Sequence, residues 1–358
     1  MRFPKDSLRA RANRRYLFSK HSFGRSKNRL GQFLDGSVEP RLLCTARSAM
    51  ACDFQIRIPD STRSHIPKVQ QAFDLIDDLE AQLSVYRPSS EISRINSVAN
   101  CRPFSVEPQL LQLLDQAKKL SIETGGAFDI TGAPYGKAWG IFDRQGRVPD
   151  NDEIAAIKSI IGSRLLEIDL EIGTLRFRRS GVEINLGGIG KGYALDQASI
   201  LLQDNGVRNA LLHAGFSTII AVGDAPSSPS MGWSVGIRHP LKPGQDFAIL
   251  RLVDSALATS GSGEQGFVID GERVGHIIDP RTGYPARGRL LSSAVAPTGA
   301  LADALSTAFF VMDTHEIRAY CDSHQGVGAL MVRRKQGEEA NLLIETIGSL
   351  QNAVQLVQ

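Results

Sequence analysis

Val69, Ala72, Phe73, Ile76, Leu79 and Leu83 fall at spacings of three and four, with mostly polar residues between them. That period predicts an amphipathic helix over 67–84 with one buried face. Leu110, Leu111, Leu114, Ala117 and Leu120 repeat the pattern from Pro108 onward, and Gly125 with Gly126 should stop that helix. Between the two, Pro88 marks a turn, and Ser90 to Ser93 can open a further short helix. Residues 49–58 alternate apolar and polar, as a strand does, and further strands are expected at 165–169, 174–178 and 181–185. Residues 127–142, rich in glycine, read as an ordered loop. A helix should run from the glycines near 190 to Asn205, followed by strands paired about a turn in 210–224. More strands fit 233–240, 247–254 and 256–261, and His276 to Ile278 looks strand-like ahead of an Asp-Pro-Arg-Thr-Gly turn. Residues 299–313 form an apolar helix. Many short strands with a few long helices predict an α+β fold built on a mixed or antiparallel sheet.

Charge changes this picture only at the N-terminus. Residues 1–43 hold eleven Lys and Arg against three Asp and Glu, whereas the whole chain holds 41 against 38. The remainder is therefore slightly acidic, 30 against 35, and the basicity belongs to the leader alone. Arg14 and Arg15 ahead of Tyr16, Leu17 and Phe18 resemble a twin-arginine export signal, but the apolar stretch that should follow is polar and charged. A disordered basic leader over 1–43 is expected, then one catalytic domain over 44–345 and a tail over 346–358. The leader lacks the aromatic or folded context of a nucleic-acid surface, so no nucleic-acid partner is expected. As written, the chain is expected in the cytoplasm; a degenerate export signal would instead place it in the periplasm or at a membrane. Cys44, Cys52, Cys101 and Cys321 match no metal-binding or paired spacing, and the seven histidines do not cluster.

Four stretches carry candidate chemistry. In INLGGIGKGYALD, residues 184–196, Gly187, Gly188, Gly190 and Gly192 surround Lys191 at the start of a helix. Small residues, helix-opening N–H groups and a cation suit a phosphate, although a plain turn into a helix has the same composition. Asn185 and Gly192 break a Walker A pattern, and Tyr193 breaks the dinucleotide GxGxxG fingerprint. Asp303 and Thr307, four apart on the apolar helix, put a carboxylate and a hydroxyl on one face, two hard oxygens suited to magnesium. They equally fit a dipole-favoured aspartate and a small core filler. His276 has the chemistry for acid–base work, and Asp279 with Arg281 can hold a loop or a phosphate. TGGAFDITG, residues 124–132, offers backbone for a planar ligand and Asp129 as an acceptor, while Met50 and Tyr86 can stack on rings.

Taken in order, the strings around Met50, SVYRPSSEISRIN, GGAFDITGAPYGKAWG, INLGGIGKGYALD, ALATSG, HIIDPRTGYP and APTGALADALSTAFFVM closely resemble the FAD:protein FMN transferase (ApbE-type) family over about residues 48–333. The resemblance implies a T-fold-like α+β domain. It also implies a magnesium-dependent enzyme that cleaves FAD, attaches FMN to a Thr or Ser of a target flavoprotein, for example in a membrane redox complex, and releases AMP. By the same resemblance Gly188, Asp303 and Thr307 hold the metal. Met50, Tyr86, Ala127, Phe128, Asp129, Asn185, Lys191 and His276 contact FAD, and Lys191 faces its diphosphate. His276 or Asp279 would act as base toward the acceptor hydroxyl. The chain departs from the family's pattern at Asn185, commonly aspartate, at Phe216, often glycine, and at Ser262, often acidic or amide. The alternative that Asn185 suggests is a protein that binds FAD without transferring FMN. The oligomeric state is not encoded in any of these motifs.

Overall fold

The alternation at 49–58 belongs to the second arm of a hairpin and not to a solitary strand. In the computed structural model, which describes residues 41–142, 146–227, 231–261, 266–269, 272–335 and 338–357, β1 (Leu42–Ala49) pairs along its whole length with β2 (Cys52–Pro59). Met50 and Ala51 make the turn, with φ of 48° and 60°. Two consecutive left-handed residues match the twist of a tight hairpin, but Met-Ala lacks the Asn-Gly signature that would reveal it in sequence.

This hairpin forms one edge of an eight-stranded sheet in the order β1-β2-β6-β7-β10-β13-β14-β15. The added strands are β6 (Ala210–Ala214), β7 (Thr218–Val222), β10 (Ser255–Gly261), β13 (Leu291–Ala296), β14 (Gly328–Lys335) and β15 (Glu338–Gly348). Every pair is antiparallel. Helices cover one face: α1 (Ile66–Leu83), α6 (Gly190–Asp204) and α7 (Gly299–Val311) pack there against Phe54, Ile56, Ala256, Ala258, Ala294 and Ala296. Alanine at the central strand positions lets α6 and α7 lie close to the sheet. The opposite face is covered by β8 (Trp233–Arg238), β9 (Asp246–Leu252) and β16 (Gln355–Leu356), whose Trp233, Val235, Ile237 and Leu250 join Leu257, Val295, Leu330 and Val332 in a second core.

The remaining elements sit around this frame. They are α2 (Glu91–Val98), α3 (Pro108–Glu123), α4 (Ala133–Ala138), α5 (Asn151–Lys158), α8 (Thr314–Ser323), the sheet of β3 (Phe104–Ser105), β4 (Leu166–Asp169) and β5 (Thr174–Phe177), and the hairpin of β11 (Gly266–Ile269) and β12 (Glu272–Gly275). All six spaced residues of α1 are buried, as their period required, and so are the five of α3.

Four expectations are corrected. Residues 181–185 join no sheet: Gly181 is in a turn with φ of 89°, and the Asn96 amide takes both main-chain groups of Ile184, its Nδ2 donating to the carbonyl at 2.9 Å and its Oδ1 accepting the N–H at 2.8 Å. The loop at 127–142 contains α4, opened by Pro134. His276 to Ile278 form a bend with a single bridge, Ile278 to Pro285. Residues 346–357 are built in: they finish β15, bury Leu350 and supply β16. Helix α5 escaped the reading because Ile154 is its one buried residue. Leader residues 1–40 and Ser262 lie outside the described residues, while Leu42 and Leu43 already belong to β1. Among the described residues no helix is long and apolar enough to cross a membrane.

Candidate active site

The glycine-rich run turns into α6 with Asn185 as its hinge. The Asn185 side-chain oxygen accepts the Gly187 N–H at 2.8 Å, a local turn that an aspartate would make in the same way. Helix α6 has no side-chain cap of its own. Its Gly192 N–H, one of the orphan donors of a first turn, is taken instead by Asp303 Oδ2 of α7 at 3.2 Å. The service is returned: Asp196 of α6 accepts the N–H groups of Gly299 and Ala300 at 2.6 and 2.8 Å, capping α7. Each helix therefore caps the other.

Such an arrangement needs backbones in contact. A Cβ placed on Gly192 would lie 2.0 Å from the Gly299 carbonyl oxygen, and one on Gly299 would lie 2.7 Å from that of Gly192. Gly192 thus serves helix packing and not the approach of an anion. Around this crossing the charged groups gather. Asp303, 6% exposed, also accepts the Thr218 hydroxyl at 3.2 Å, and Lys191 Nζ stands 3.8 Å from it and 3.4 Å from the Gly187 carbonyl. One turn along, Thr307 Oγ1 lies 3.7 Å from where a Cβ of Gly188 would be, with the Phe128 ring 3.4 Å away on the same side. Phe128, Gly188, Lys191, Asp303 and Thr307 are thereby brought together from three segments.

Asp196 is the perturbed acid of this crossing. Burial pushes its pKa from an ordinary 3.8 to about 6 against the pull of its two N–H donors, and the Asp303 charge adds to the rise. Because the folded value lies above the unfolded one, this group's stabilisation is present in full below about pH 4 and is lost as pH rises through about 6. Carboxyl NMR is expected to show Asp196 titrating near 6, and Asp196→Asn should remove its share of the stability slope between pH 4 and 6. A midpoint near 4 would contradict the burial.

Other expected residues fall differently. Asp129 offers no free acceptor: Oδ1 takes the Thr131 N–H and hydroxyl at 2.8 and 2.6 Å, and Oδ2 takes the Ser121 hydroxyl and Ser163 N–H at 2.9 and 2.8 Å. Its carboxylate ties three segments and holds Ala127 and Phe128, both buried, in place. Asp279 is likewise unsuited as a base. Arg281 donates to it from the backbone at 2.9 Å and from Nε at 3.1 Å, and the same guanidinium reaches Glu316 at 2.8 Å, fastening the turn to α8. His276 is half-buried in the bend after β12. Tyr86 is 76% exposed, between α1 and α2. Met50 is half-buried in the β1–β2 turn, and the Cys52 thiol beside it marks how near that turn comes to the site. Burial pushes that thiol up, Lys191 pulls it down, and Asp53 and Asp303 push it up again. Cys52, Asp196, Thr218 and Ser260 carry no separate signal in sequence; only the strings around them do.

A divalent cation fits the oxygens present. Among the described residues no three His, Cys, Asp or Glu side chains converge; the hard side-chain oxygens at this point are the Asp303 carboxylate and the Thr307 hydroxyl, beside Gly188. One carboxylate with phosphates making up the rest is the donor set magnesium takes beside a phosphate substrate.

Residues 50–331 match the model of the ApbE family. The chain is 33% identical over 277 residues to the FAD:protein FMN transferase of Treponema pallidum, covering 74% of this chain and 76% of that protein. It is 31% identical over 268 residues to the transferase of the same name from Vibrio cholerae, with coverage of 74% and 78%. Among solved structures it is similar to the ApbE protein of Thermotoga maritima, with a TM-score of 0.78 at 27% identity, covering 87% of this chain and 99% of that one. The flavin transferase ApbE from Vibrio cholerae gives a TM-score of 0.73 at 25% identity, with the same coverage.

Proposed function

The chain belongs to the ApbE family, and on that premise we propose that it is a magnesium-dependent FAD:protein FMN transferase that uses the α6–α7 crossing to hold the diphosphate of FAD. In the reaction an acceptor threonine or serine oxygen bonds to the FMN phosphorus, the bridging P–O bond breaks, and AMP leaves with the bridging oxygen. The hydroxyl proton departs to a base.

The observation that carries this reading is the meeting of Lys191, Asp303, Thr307 and Gly188 at the start of α6. Lys191 places a fixed positive charge beside the phosphates, where charge shifts among oxygens during transfer. Asp303 and Thr307, with the Gly188 carbonyl, would hold the cation. When bound, the cation supplies Lewis-acid polarisation of the phosphate oxygens. Phe128, packed against Gly188, gives the site an apolar wall that excludes water. Proton removal falls to His276, since the Asp279 carboxylate is bound by Arg281. Asn185 does not argue for a protein that only binds FAD, because its side chain is spent on the Gly187 turn.

Incubating the full chain with FAD, magnesium and a flavoprotein subunit bearing an acceptor threonine should give covalent FMN on that subunit and free AMP, both read by mass spectrometry. Tight FAD binding with neither product would replace the transferase by a flavin-binding protein.

A further inference from the structure

Behind Thr307 lies a row of hydroxyls whose protons can be counted. Ser306 Oγ is 2.8 Å from the Asp303 main-chain carbonyl, which can only accept, so the single Ser306 proton is committed there. Ser260 Oγ is 2.8 Å from Ser306 Oγ, and with the Ser306 proton spent, Ser260 must be the donor. Thr307 Oγ1 is 3.2 Å from Ser260 Oγ, and with the Ser260 proton spent, Thr307 must donate in turn. Ser292, directly across from Ser260 in the β10–β13 register, does not divert that proton, because its buried oxygen has no hydrogen-bond partner among the described residues. The usual alternative for a helical threonine, the carbonyl four residues back, is that same Asp303 carbonyl, already taken by Ser306 and by the helix's own ladder.

We infer that Ser260 and Ser306 are positioning residues that turn the Thr307 proton toward the sheet, so that Thr307 faces Gly188 with lone pairs only. A hydroxyl with its proton in the site would set a positive hydrogen against a cation; one with its proton tied back is a clean oxygen ligand. Ser260→Ala removes the acceptor and lets the Thr307 proton swing into the site. Ser306→Ala frees the Ser260 proton, which can then be given to Thr307, reversing the row; it gives up one hydrogen bond to the Asp303 main-chain carbonyl but leaves both ligand side chains in place. The inference rests on Asp303 and Thr307 being the cation's ligands.

The test uses the full chain and Mn²⁺ alone, with binding read by water proton relaxation and stability read by thermal unfolding with and without the ion. Both serine variants should bind Mn²⁺ about 10-fold or more weakly, the usual effect of losing an outer partner of a ligand. Ser260→Thr, which keeps a hydroxyl, should restore binding. Without metal the unfolding temperature of Ser306→Ala should stay near wild type, which a merely structural role would not predict. Asp303→Ala separates the two readings. If it retains Mn²⁺ affinity, the assignment of the cation site is wrong. If it loses binding while either folded serine variant binds as wild type does, the proton row is wrong and the site stands.

Discussion

Gly192→Ala is expected to cost the protein a large part of its stability. The new methyl carbon would lie 2.0 Å from the Gly299 carbonyl oxygen, 2.3 Å from its carbon and 2.7 Å from the Ala300 nitrogen. All three are backbone atoms of α7, so no side chain can swing aside, and the helices themselves must part. Overpacking of a core alone costs about 1–3 kcal/mol. Separation also stretches the reciprocal caps, Asp196 on Gly299 and Ala300 and Asp303 on Gly192. Each charge-assisted hydrogen bond lost adds about 1.5–3 kcal/mol. Gly190→Ala, two residues earlier, is the matching contrast. Its Cβ would meet Leu186 at 3.7 Å and Leu83 at 4.0 Å, ordinary contacts, and alanine favours a helix over glycine by about 0.5–1 kcal/mol. Denaturant unfolding should therefore show opposite signs for two alanines in one glycine-rich run. Equal midpoints would mean that the helix crossing is looser than these distances.

That contrast also marks how far the sequence could be read. Periodicity located α1 and α3 to within a few residues, because each buries a continuous face of its own, while the glycine-rich run marked the start of α6 and a largely apolar stretch marked α7. The spacing of Asp303 and Thr307 was legible for the same reason, since four residues on one helix share a face. What stayed hidden depends on partners far along the chain. Asp196 and Asp303 are each known by what they cap across a helix crossing, and no local pattern marks that. Asp129 and Asp279 show the reverse limit: a carboxylate is visible in sequence, but the four donors around Asp129 and the Arg281 guanidinium on Asp279 are not. Residues 181–185 read as a strand because apolar and polar residues alternate there, yet at Ile184 the side-chain amide of Asn96 stands where a neighbouring strand would.

Asp303→Asn should abolish most FMN transfer while leaving the fold standing. Three groups converge on this carboxylate: the Gly192 N–H, the Thr218 hydroxyl and, at 3.8 Å, the Lys191 ammonium. The asparagine keeps the size of the side chain and one acceptor oxygen, and the Thr218 hydroxyl can rotate to accept from the new amide. The lost quantity is the negative charge, which the proposed cation site has nowhere else to find among its ligands. Removing one electrostatic element of such a site typically costs about 10²–10³ in rate, to be read as the initial rate of covalent FMN attachment at saturating FAD and magnesium. Asp303→Ala should lose at least as much rate and, in addition, stability, because it leaves two buried donors without an acceptor at about 1–3 kcal/mol each. The pair thus divides the two duties of one residue: activity falls in both variants, and the unfolding midpoint falls clearly only in the alanine. An asparagine variant that transfers FMN at the wild-type rate would show that the carboxylate serves the helix crossing alone, and the cation would then have to be sought elsewhere.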